Sequence, residues 1–305
     1  MLKIGIVGLG YWGKHYIRIL SENKRIKLVA VCDLNNELLN KYSYLNVEKY
    51  NDYLEMIKSK KIDSIIIITI ASIHKKIIID SLKYNLNIFV EKPYTLNLKD
   101  CMEIEKNINK NTKLMIGHTY LYSNKINYVK HFIDNEMKNI KTIQFTWTGS
   151  GYHPNDTTPI FDLSVHPLSI LLYLFPNHEI MNIHSLKSTS NNTYFLQFKI
   201  NKIIVHMNIS WSSPGKTRKM ILNDDKLKLI FDDVTNTDPI KILYTDDNNS
   251  NNNIFIHSDG KKIIPQIKNN EPLTDQFNDW IDYSENKIEI ISNHEFAKEI
   301  VELCE

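Results

Sequence analysis

A glycine-rich turn near the N-terminus constrains the fold of this chain more than any other feature. Gly8-Leu9-Gly10-Tyr11-Trp12-Gly13 has the spacing G-x-G-x-x-G, directly follows the apolar run KIGIV and opens the amphipathic stretch YWGKHYIRIL. In a strand-to-helix turn, the first glycine permits the tight turn and the second lets the backbone approach a pyrophosphate, while the third lets the helix close on the sheet. Because the N-terminus of a helix attracts anions, this turn predicts a dinucleotide-binding site.

A carboxylate at the end of the next predicted strand supports this interpretation. Asp33 follows LVAVC and lies 20 residues after Gly13. A carboxylate there accepts hydrogen bonds from the adenosine ribose hydroxyls and repels a 2′-phosphate, which favours NAD over NADP. The alternative is that the glycines serve only as turns and Asp33 only as a helix cap. Because the glycine turn and Asp33 occur at the spacing of a dinucleotide site, they favour a bound dinucleotide.

The first 120 residues alternate short β-branched runs with helical stretches. Strands are predicted at 4–7, 28–32, 64–69, 88–90 and 113–116, and helices at 11–22, 37–42, 53–60, 74–84 and 98–109. Runs such as SIIIIT are apolar without alternation, which is typical of strands covered on both faces. This order predicts a Rossmann domain, a doubly wound parallel sheet, over residues 1–122.

Residues 123–305 follow a different pattern. A helix is predicted at about 125–135 and another at about 165–175, and helical spacing returns at 273–304. Between them, five strand-like segments are separated mainly by turn residues: IKTIQFTWTG, TYFLQFKI, KIIVHMNISW, TRKMILN and DKLKLIF. The polar run DDNNSNNN at 246–253 predicts a solvated hairpin tip. We therefore expect an α+β domain with an open, mainly antiparallel sheet.

The composition excludes several classes of protein. The 37 lysines and arginines nearly balance the 35 acidic residues, and only three of the 37 are arginines, so no cationic surface for nucleic acid is expected. The three cysteines lie far apart without a C-x-x-C pair, so neither a disulfide framework nor a metal site is predicted. The N-terminus begins as a strand rather than a signal peptide, and the apolar runs are too short to span a bilayer, so we expect a cytoplasmic protein outside the membrane.

Two further segments contain candidate catalytic residues. Glu91-Lys92-Pro93 ends the strand NIFV, which puts Lys92 at the carboxyl edge of the sheet, where doubly wound folds bind ligands. Asp162 and His166 are four residues apart at a helix entrance, with Ser164 as a candidate N-cap, so both side chains can reach one cleft. From these residues alone, a solvated lysine, a capping aspartate and a structural histidine are the simpler interpretation.

Together these motifs resemble one known family. The glycine turn, TIASIH at 69–74, EKP at 91–93 and DLSVH at 162–166 occur in the order found in the Gfo/Idh/MocA oxidoreductases, and the similarity extends over essentially the whole chain. The resemblance implies a Rossmann domain followed by an open antiparallel-sheet domain, a homodimer or homotetramer, and oxidation or reduction of sugar or cyclitol hydroxyls with NAD or NADP. It also implies that Lys92, Asp162 and His166 line the site.

A narrower resemblance concerns the substrate. GHTYLYSNKI at 117–126, FDLSVHPLSILLYL at 161–174, and EPL at 271–273 with FNDWI resemble the branch of nucleotide-sugar and surface-polysaccharide pathways. The chain departs from that branch at Phe161, where Trp is usual, and at Pro167, where Asp is usual. The branch implies an NAD-dependent enzyme that transfers a hydride between nicotinamide and a hydroxyl or keto carbon of a nucleotide sugar in polysaccharide biosynthesis. The alternatives are a free-sugar or inositol dehydrogenase of the same family and a non-catalytic NAD-binding sensor.

The resemblance implies roles for individual residues. His166 is the principal base or acid, Lys92 polarises the reacting oxygen and Asp162 orients them, although Lys92 and His166 can exchange roles. The predicted cofactor-binding residues are Gly8, Gly10, Tyr11, Trp12, Gly13, Asp33, Thr69, His74, Glu91 and Lys92. The predicted substrate-binding residues are His118, Tyr120, Lys92, Asp162 and His166. Structural roles are expected for Trp147, Trp211 and Trp280, and His153 and Asp156 lie in a loop that could cover the substrate.

Overall fold

The computed structural model describes residues 1–151, 153–235, 237–245 and 259–305. The chain forms two compact units: Met1–Thr119, Pro154–Thr157 and Leu273–Glu305 form the first, and Tyr120–His153 with Thr158–Pro272 the second. The sequence predicts a single boundary after residue 122, whereas the C-terminal helices group with the first unit in the structure. The predicted hairpin tip at 246–253 lies outside the described residues.

The first unit is built on a parallel sheet of six strands in the order β3-β2-β1-β4-β5-β6. The strands are β1 (Leu2–Val7), β2 (Ile26–Cys32), β3 (Glu48–Tyr50), β4 (Ser64–Ile67), β5 (Asn87–Val90) and β6 (Leu114–Ile116). The helices of this unit are α1 (Gly13–Glu22), α2 (Asn36–Lys41), α3 (Tyr53–Lys58), α4 (His74–Leu82), α5 (Leu98–Glu105), α8 (Pro272–Ser284) and α9 (His294–Cys304). The strand order reverses at β1, between β2 and β4, which is where doubly wound sheets bind ligands.

Burial explains why these segments form a sheet covered on both sides. Every residue of β4, SIII, is buried, as expected for a strand between two layers of helices. On one side, Phe277 and Trp280 of α8 pack against Phe89 of β5, with ring centroids 4.9 and 6.1 Å away. This aromatic contact is the physical reason that α8 belongs with the parallel sheet.

The second unit contains a sheet of eight strands in the order β14-β13-β12-β11-β7-β10-β9-β8. The strands are β7 (Thr142–Thr148), β8 (Ile180–Lys187), β9 (Thr193–Ile200), β10 (Ile203–Ser210), β11 (Thr217–Asn223), β12 (Leu227–Asp232), β13 (Ile240–Thr245) and β14 (Asp259–Ile263). Neighbouring strands are antiparallel except β7 and β10, which are parallel. The predicted fold class, a Rossmann sheet followed by an open and mainly antiparallel sheet, is confirmed.

Two helices accompany this second sheet, α6 (Asn124–Asn135) and α7 (Val165–Leu174). α7 is buried along almost its whole length, which matches a sequence that is apolar on all sides. Ile160–Ser164 forms a π-helical turn immediately before α7 and contacts β7 and β10. Within the described ranges, no helix has the length and hydropathy required to cross a membrane.

Candidate cofactor and catalytic sites

The glycine turn follows β1 and has the geometry that its spacing predicts. Gly8 has φ +97°, and a Cβ there would lie 2.5 Å from the carbonyl oxygen of Ile68, so this position accepts only glycine. A Cβ at Gly13 would lie 3.3 Å from the Gly8 carbonyl oxygen, which reflects the close approach of α1 to the turn. A Cβ at Gly10 would meet no described atom within 4 Å. The open space at Gly10, beside the N-terminus of α1, fits a pyrophosphate that approaches the backbone.

Asp33 ties this turn to the next strand. Its Oδ2 accepts a hydrogen bond from the Leu9 N–H at 2.7 Å, and its Oδ1 accepts one from the Asn35 N–H at 2.8 Å. Asn35, rather than Asp33, is the N-cap of α2. Each carboxylate oxygen has two lone pairs, so both can still accept a ribose hydroxyl. The position of Asp33 is therefore explained better by the predicted dinucleotide site than by a role as a helix cap.

Tyr11 and Trp12, also predicted to bind the cofactor, lie exposed in the turn. Their rings meet edge to face with centroids 5.8 Å apart, and Nζ of Lys14 lies 5.3 Å from the centre of the Tyr11 ring. Their exposed faces are available to a ligand at the turn.

His74 is buried and contacts backbone carbonyl groups. Its Nδ1 lies 2.9 Å from the Pro93 oxygen and its Nε2 3.1 Å from the Thr69 oxygen. Burial lowers the pKa of His74, so the ring stays neutral and one of its two nitrogens carries the proton. His74 thus connects the loop after β4 with the EKP turn. Nearby, Asp156 accepts a hydrogen bond from the Ser72 N–H at 2.9 Å, so the loop that contains Asp156 is tied to the same region of the first unit.

The EKP motif follows β5, and the Lys92–Pro93 peptide bond is cis. Glu91 accepts hydrogen bonds from the Tyr16 hydroxyl and, at 2.9 Å, from the Lys92 N–H. His118, after β6, is only 2% exposed, and its Nδ1 lies 2.7 Å from the Ser292 hydroxyl. Burial and the nearby Lys92 charge lower the pKa of His118 to about 3. His118 is therefore a neutral, inward-facing neighbour of Lys92.

Asp162 and His166 lie in the second unit, in the π-helical turn and the first turn of α7. The Trp211 indole N–H donates to Oδ2 of Asp162 at 3.0 Å, and the His153 ring stacks on Trp211 at a centroid distance of 4.3 Å. Ser164 was expected to be an N-cap, but its hydroxyl donates to the Ile160 carbonyl. The backbone is already helical at Ser164, so the hydroxyl cannot reach the N–H groups that follow.

Tyr120 connects His166 to a second polar cluster. Its ring lies edge to face against His166, with centroids 5.3 Å apart, and its hydroxyl donates to Asp233 at 2.9 Å. Lys125 pairs with the same carboxylate at 3.1 Å. Burial raises the pKa of Tyr120 well above its usual range, and the charge of Asp233 adds to this effect. Tyr120 therefore remains a protonated hydrogen-bond donor.

Three residues in or beside these two clusters were not predicted as site residues. Trp211 was expected to be structural, and Asp233 and Arg218 were not considered. Arg218 donates to the carbonyls of Thr148 and Thr217 at 2.7 and 2.8 Å. Burial lowers the pKa of Arg218, while Tyr120, Asp162 and Asp233 oppose this effect. The available signal was that Arg218 is one of only three arginines in a lysine-rich chain.

A group outside these clusters bears on the metal prediction. Glu105, His294 and Glu295 each place one ligand atom within 4.8 Å of the others. Lys298 already pairs with Glu105 at 2.7 Å and supplies a positive charge there. The expectation of no metal site stays a prediction.

Comparison with known proteins gives a family match for the first part of the chain. Residues 2–118 match the family model described as the oxidoreductase family with an NAD-binding Rossmann fold, Gfo/Idh/MocA. Inositol 2-dehydrogenase of Salmonella typhimurium is 28% identical over 183 residues, which are 57% of this chain and 54% of that protein. The chain thus covers about half the length of this curated relative.

Solved structures resemble the whole chain. UDP-N-acetylglucosamine 3-dehydrogenase from Acidithiobacillus ferrooxidans superposes with a TM-score of 0.83 at 15% identity, over 99% of this chain and 95% of that one. Scyllo-inositol dehydrogenase from Lactobacillus casei, solved with NAD(H) and scyllo-inositol, superposes with a TM-score of 0.81 at 17% identity, over 100% and 95%. These likenesses support the fold. The match over residues 2–118 shows that this part of the chain is similar to the NAD-binding Rossmann domain of the Gfo/Idh/MocA oxidoreductases.

Proposed function

We propose that this protein is an NAD-dependent dehydrogenase or reductase that acts on a CH–OH group of a sugar, and that its substrate is a nucleotide sugar in surface-polysaccharide biosynthesis. The observation that carries the proposal is the geometry of the glycine turn. Gly8 has no room for a side chain, a Cβ at Gly10 would meet no described atom within 4 Å, and Asp33 accepts a hydrogen bond from the Leu9 N–H of the turn. Such a turn fits a dinucleotide and leaves the redox step to the nicotinamide.

The substrate class is supported by two independent similarities. The segments at 117–126 and 161–174 resemble the nucleotide-sugar branch of the family. One structural relative is a UDP-N-acetylglucosamine 3-dehydrogenase, at 15% identity. An inositol or free-sugar dehydrogenase is the second candidate, because inositol 2-dehydrogenase is among the sequence relatives at 28% identity.

The proposed roles follow the chemistry of each side chain. When bound, the nicotinamide supplies the hydride chemistry. His166 exchanges the hydroxyl proton, since imidazole titrates near neutral pH, and Lys92 hydrogen-bonds and polarises the reacting oxygen. Asp162 orients these groups, and the Trp211 N–H limits its rotation. Lys92 and His166 can exchange roles.

Asp33 supports the proposed preference for NAD. Its carboxylate is held beside the glycine turn by two backbone N–H groups at 2.7 and 2.8 Å, so it cannot easily turn away. A 2′-phosphate at this position would face a fixed negative charge, which disfavours NADP.

We also propose that the protein is a homodimer or homotetramer. The exposed face of the second sheet carries apolar side chains on β8, β9 and β10, namely Leu186, Phe195 and Ile204. An exposed apolar patch of this kind commonly marks an interface. A second copy of the chain is the occupant that the family resemblance implies.

The test combines cofactor titration with a substrate panel. Purified protein is titrated with NAD and NADP, and reduced nicotinamide is followed with nucleotide sugars, free sugars and inositols. We expect NAD-dependent turnover with a nucleotide sugar. Turnover only with an inositol or free sugar would favour the second candidate, and tight NAD binding without turnover would favour a non-catalytic sensor.

Substitutions then test the roles. Lys92→Ala and His166→Ala should each reduce turnover by roughly 10²-fold or more and leave NAD affinity unchanged. The exposed Lys110→Ala and His131→Ala serve as matched controls and should behave as wild type. Wild-type turnover in both site variants would contradict the proposed roles of Lys92 and His166.

A further inference from the structure

A buried tyrosine outside every motif contacts the segment that carries Lys92. Tyr16 of α1 is fully buried, and its ring packs against Phe89 and Phe277 at centroid distances of 5.9 and 5.2 Å. Its hydroxyl donates to Oε1 of Glu91. Since α1 is the helix opened by the glycine turn, Tyr16 links the proposed cofactor site to the end of β5.

The other oxygen of Glu91 holds the backbone of Lys92. Oε2 of Glu91 accepts a hydrogen bond from the Lys92 N–H at 2.9 Å. The Glu91 N–H itself donates to the Ile67 carbonyl of β4 at 2.9 Å. The peptide unit from which the Lys92 side chain emerges is therefore fixed by both the sheet and the carboxylate.

Gly117 provides the space that this carboxylate occupies. A Cβ at position 117 would lie 3.1 Å from Cδ and Oε2 of Glu91, and 3.3 Å from its Cα. A side chain at 117 would therefore displace the carboxylate. Three elements, α1, β5 and the end of β6, thus enclose Glu91.

We infer that Tyr16 and Glu91 form a positioning pair for Lys92: the Tyr16 O–H holds the Glu91 carboxylate in place, and the carboxylate orients the Lys92 backbone. The inference rests on the proposed function, because Lys92 is a candidate catalytic residue there. Tyr16 acts only through Glu91.

The pair has a defined pH dependence. Burial raises the pKa of Glu91, whereas the Tyr16 hydroxyl, the Lys92 charge and the Lys92 N–H lower it. Burial and the negative charge of Glu91 raise the pKa of Tyr16 well above its usual range, so Tyr16 remains a donor. Without the Tyr16 hydroxyl, the pKa of Glu91 rises further, and the carboxylate takes up a proton at a higher pH.

His118, just beyond Gly117, does not account for this dependence of Glu91. The groups that act on Glu91 are Tyr16 from α1 and Lys92 after β5. The proton exchange proposed for His166 gives the kcat profile a limb of its own, which Glu91→Gln should retain. Burial and Lys92 lower the pKa of His118 to about 3, so it stays neutral in an assay from about pH 5 to pH 9.

The experiment compares wild type, Tyr16→Phe and Glu91→Gln as full-length proteins. In Tyr16→Phe, the limb of the kcat profile due to Glu91 should move to higher pH, with less than about a twofold change in the KM for NAD. In Glu91→Gln the limb due to Glu91 should disappear. The control is Tyr53→Phe, which removes the hydroxyl of another tyrosine–carboxylate pair, Tyr53 and Asp80 at 2.9 Å. Its kcat profile should match that of wild type.

A readout without turnover separates this inference from the proposed function. The Lys92 amide signal, followed by NMR against pH, should report the titration of Glu91; its midpoint should rise in Tyr16→Phe, and the transition should vanish in Glu91→Gln. If the Lys92 amide midpoint rises in Tyr16→Phe but no substrate is turned over, the positioning pair is supported and the proposed dehydrogenase activity is contradicted. If turnover occurs but neither the limb due to Glu91 nor the amide midpoint moves in Tyr16→Phe, the pair is overturned.

Discussion

Asp162 acquires its proposed role from a side chain 49 residues later in the chain. The Trp211 N–H donates to its carboxylate at 3.0 Å, and the His153 ring stacks on the face of the same indole. A carboxylate held by a fixed donor keeps one orientation, and orientation is what a positioning residue beside His166 must supply. At the scale of the residue, a tryptophan expected to be structural is thus part of the candidate site.

Replacing Trp211 with Phe tests this contact. The change keeps an aromatic ring for His153 but removes the N–H, so we expect turnover to fall roughly tenfold while NAD affinity is unchanged. Steady-state kinetics and cofactor titration measure the two effects. Unchanged kcat and KM in a folded Trp211→Phe protein would show that the indole donor has no positioning role.

The glycine turn is the element in which local sequence and tertiary contact act together. Gly8 and Gly10 look alike in the motif, yet the structure separates them. A Cβ at Gly8 would overlap the Ile68 backbone, whereas a Cβ at Gly10 would meet no described atom. The first glycine is therefore required for the packing of β1 on β4, and the second for a ligand.

Alanine at each position separates stability from binding. Gly8→Ala should lower the free energy of unfolding by at least about 2 kcal/mol, because it adds a positive-φ strain and a backbone clash. Gly10→Ala should unfold as wild type does, but bind NAD at least about tenfold more weakly, since the methyl group obstructs the pyrophosphate. Chemical denaturation and NAD titration measure both. Equal losses of stability in the two variants would contradict this division.

At the scale of the whole molecule, the second sheet leaves one face partly uncovered. Leu186 is 74% exposed and lies opposite Phe195, which is 41% exposed, across the β8–β9 pair. The buried face of β9 instead carries Leu196, Phe198 and Ile200. Strict alternation along β9 directs one set of side chains inward and the other outward.

Charges on this face test the proposed homo-oligomer. Light scattering should report a dimer or tetramer for wild type and a smaller mass for Leu186→Lys combined with Phe195→Lys, because a buried interface does not tolerate unpaired ammonium groups. The exposed Tyr44→Lys, in the first unit, is the control and should leave the mass unchanged. A monomeric wild-type protein would contradict the proposal.

Much of the fold was predictable because its strongest signals are local. The run SIIIIT predicts a strand buried on both faces, and β4 is buried throughout. The short strand β3 was missed, because EKY at 48–50 has no apolar run and is held by pairing with β2. The helix α8 was placed with the second domain, because its amphipathic pattern shows that it packs but not against which partner.

The sequence by itself determined most of the strands and helices, the glycine turn and the positions of the candidate residues Lys92, Asp162 and His166, since these depend on periodicity and spacing along the chain. The tertiary structure alone decided which side chains meet: Tyr16 with Glu91, Trp211 with Asp162, and Tyr120 with Asp233. These partners are separated by 75, 49 and 113 residues. Hydrogen bonds over such separations depend on how sheets and helices pack, which no local pattern encodes.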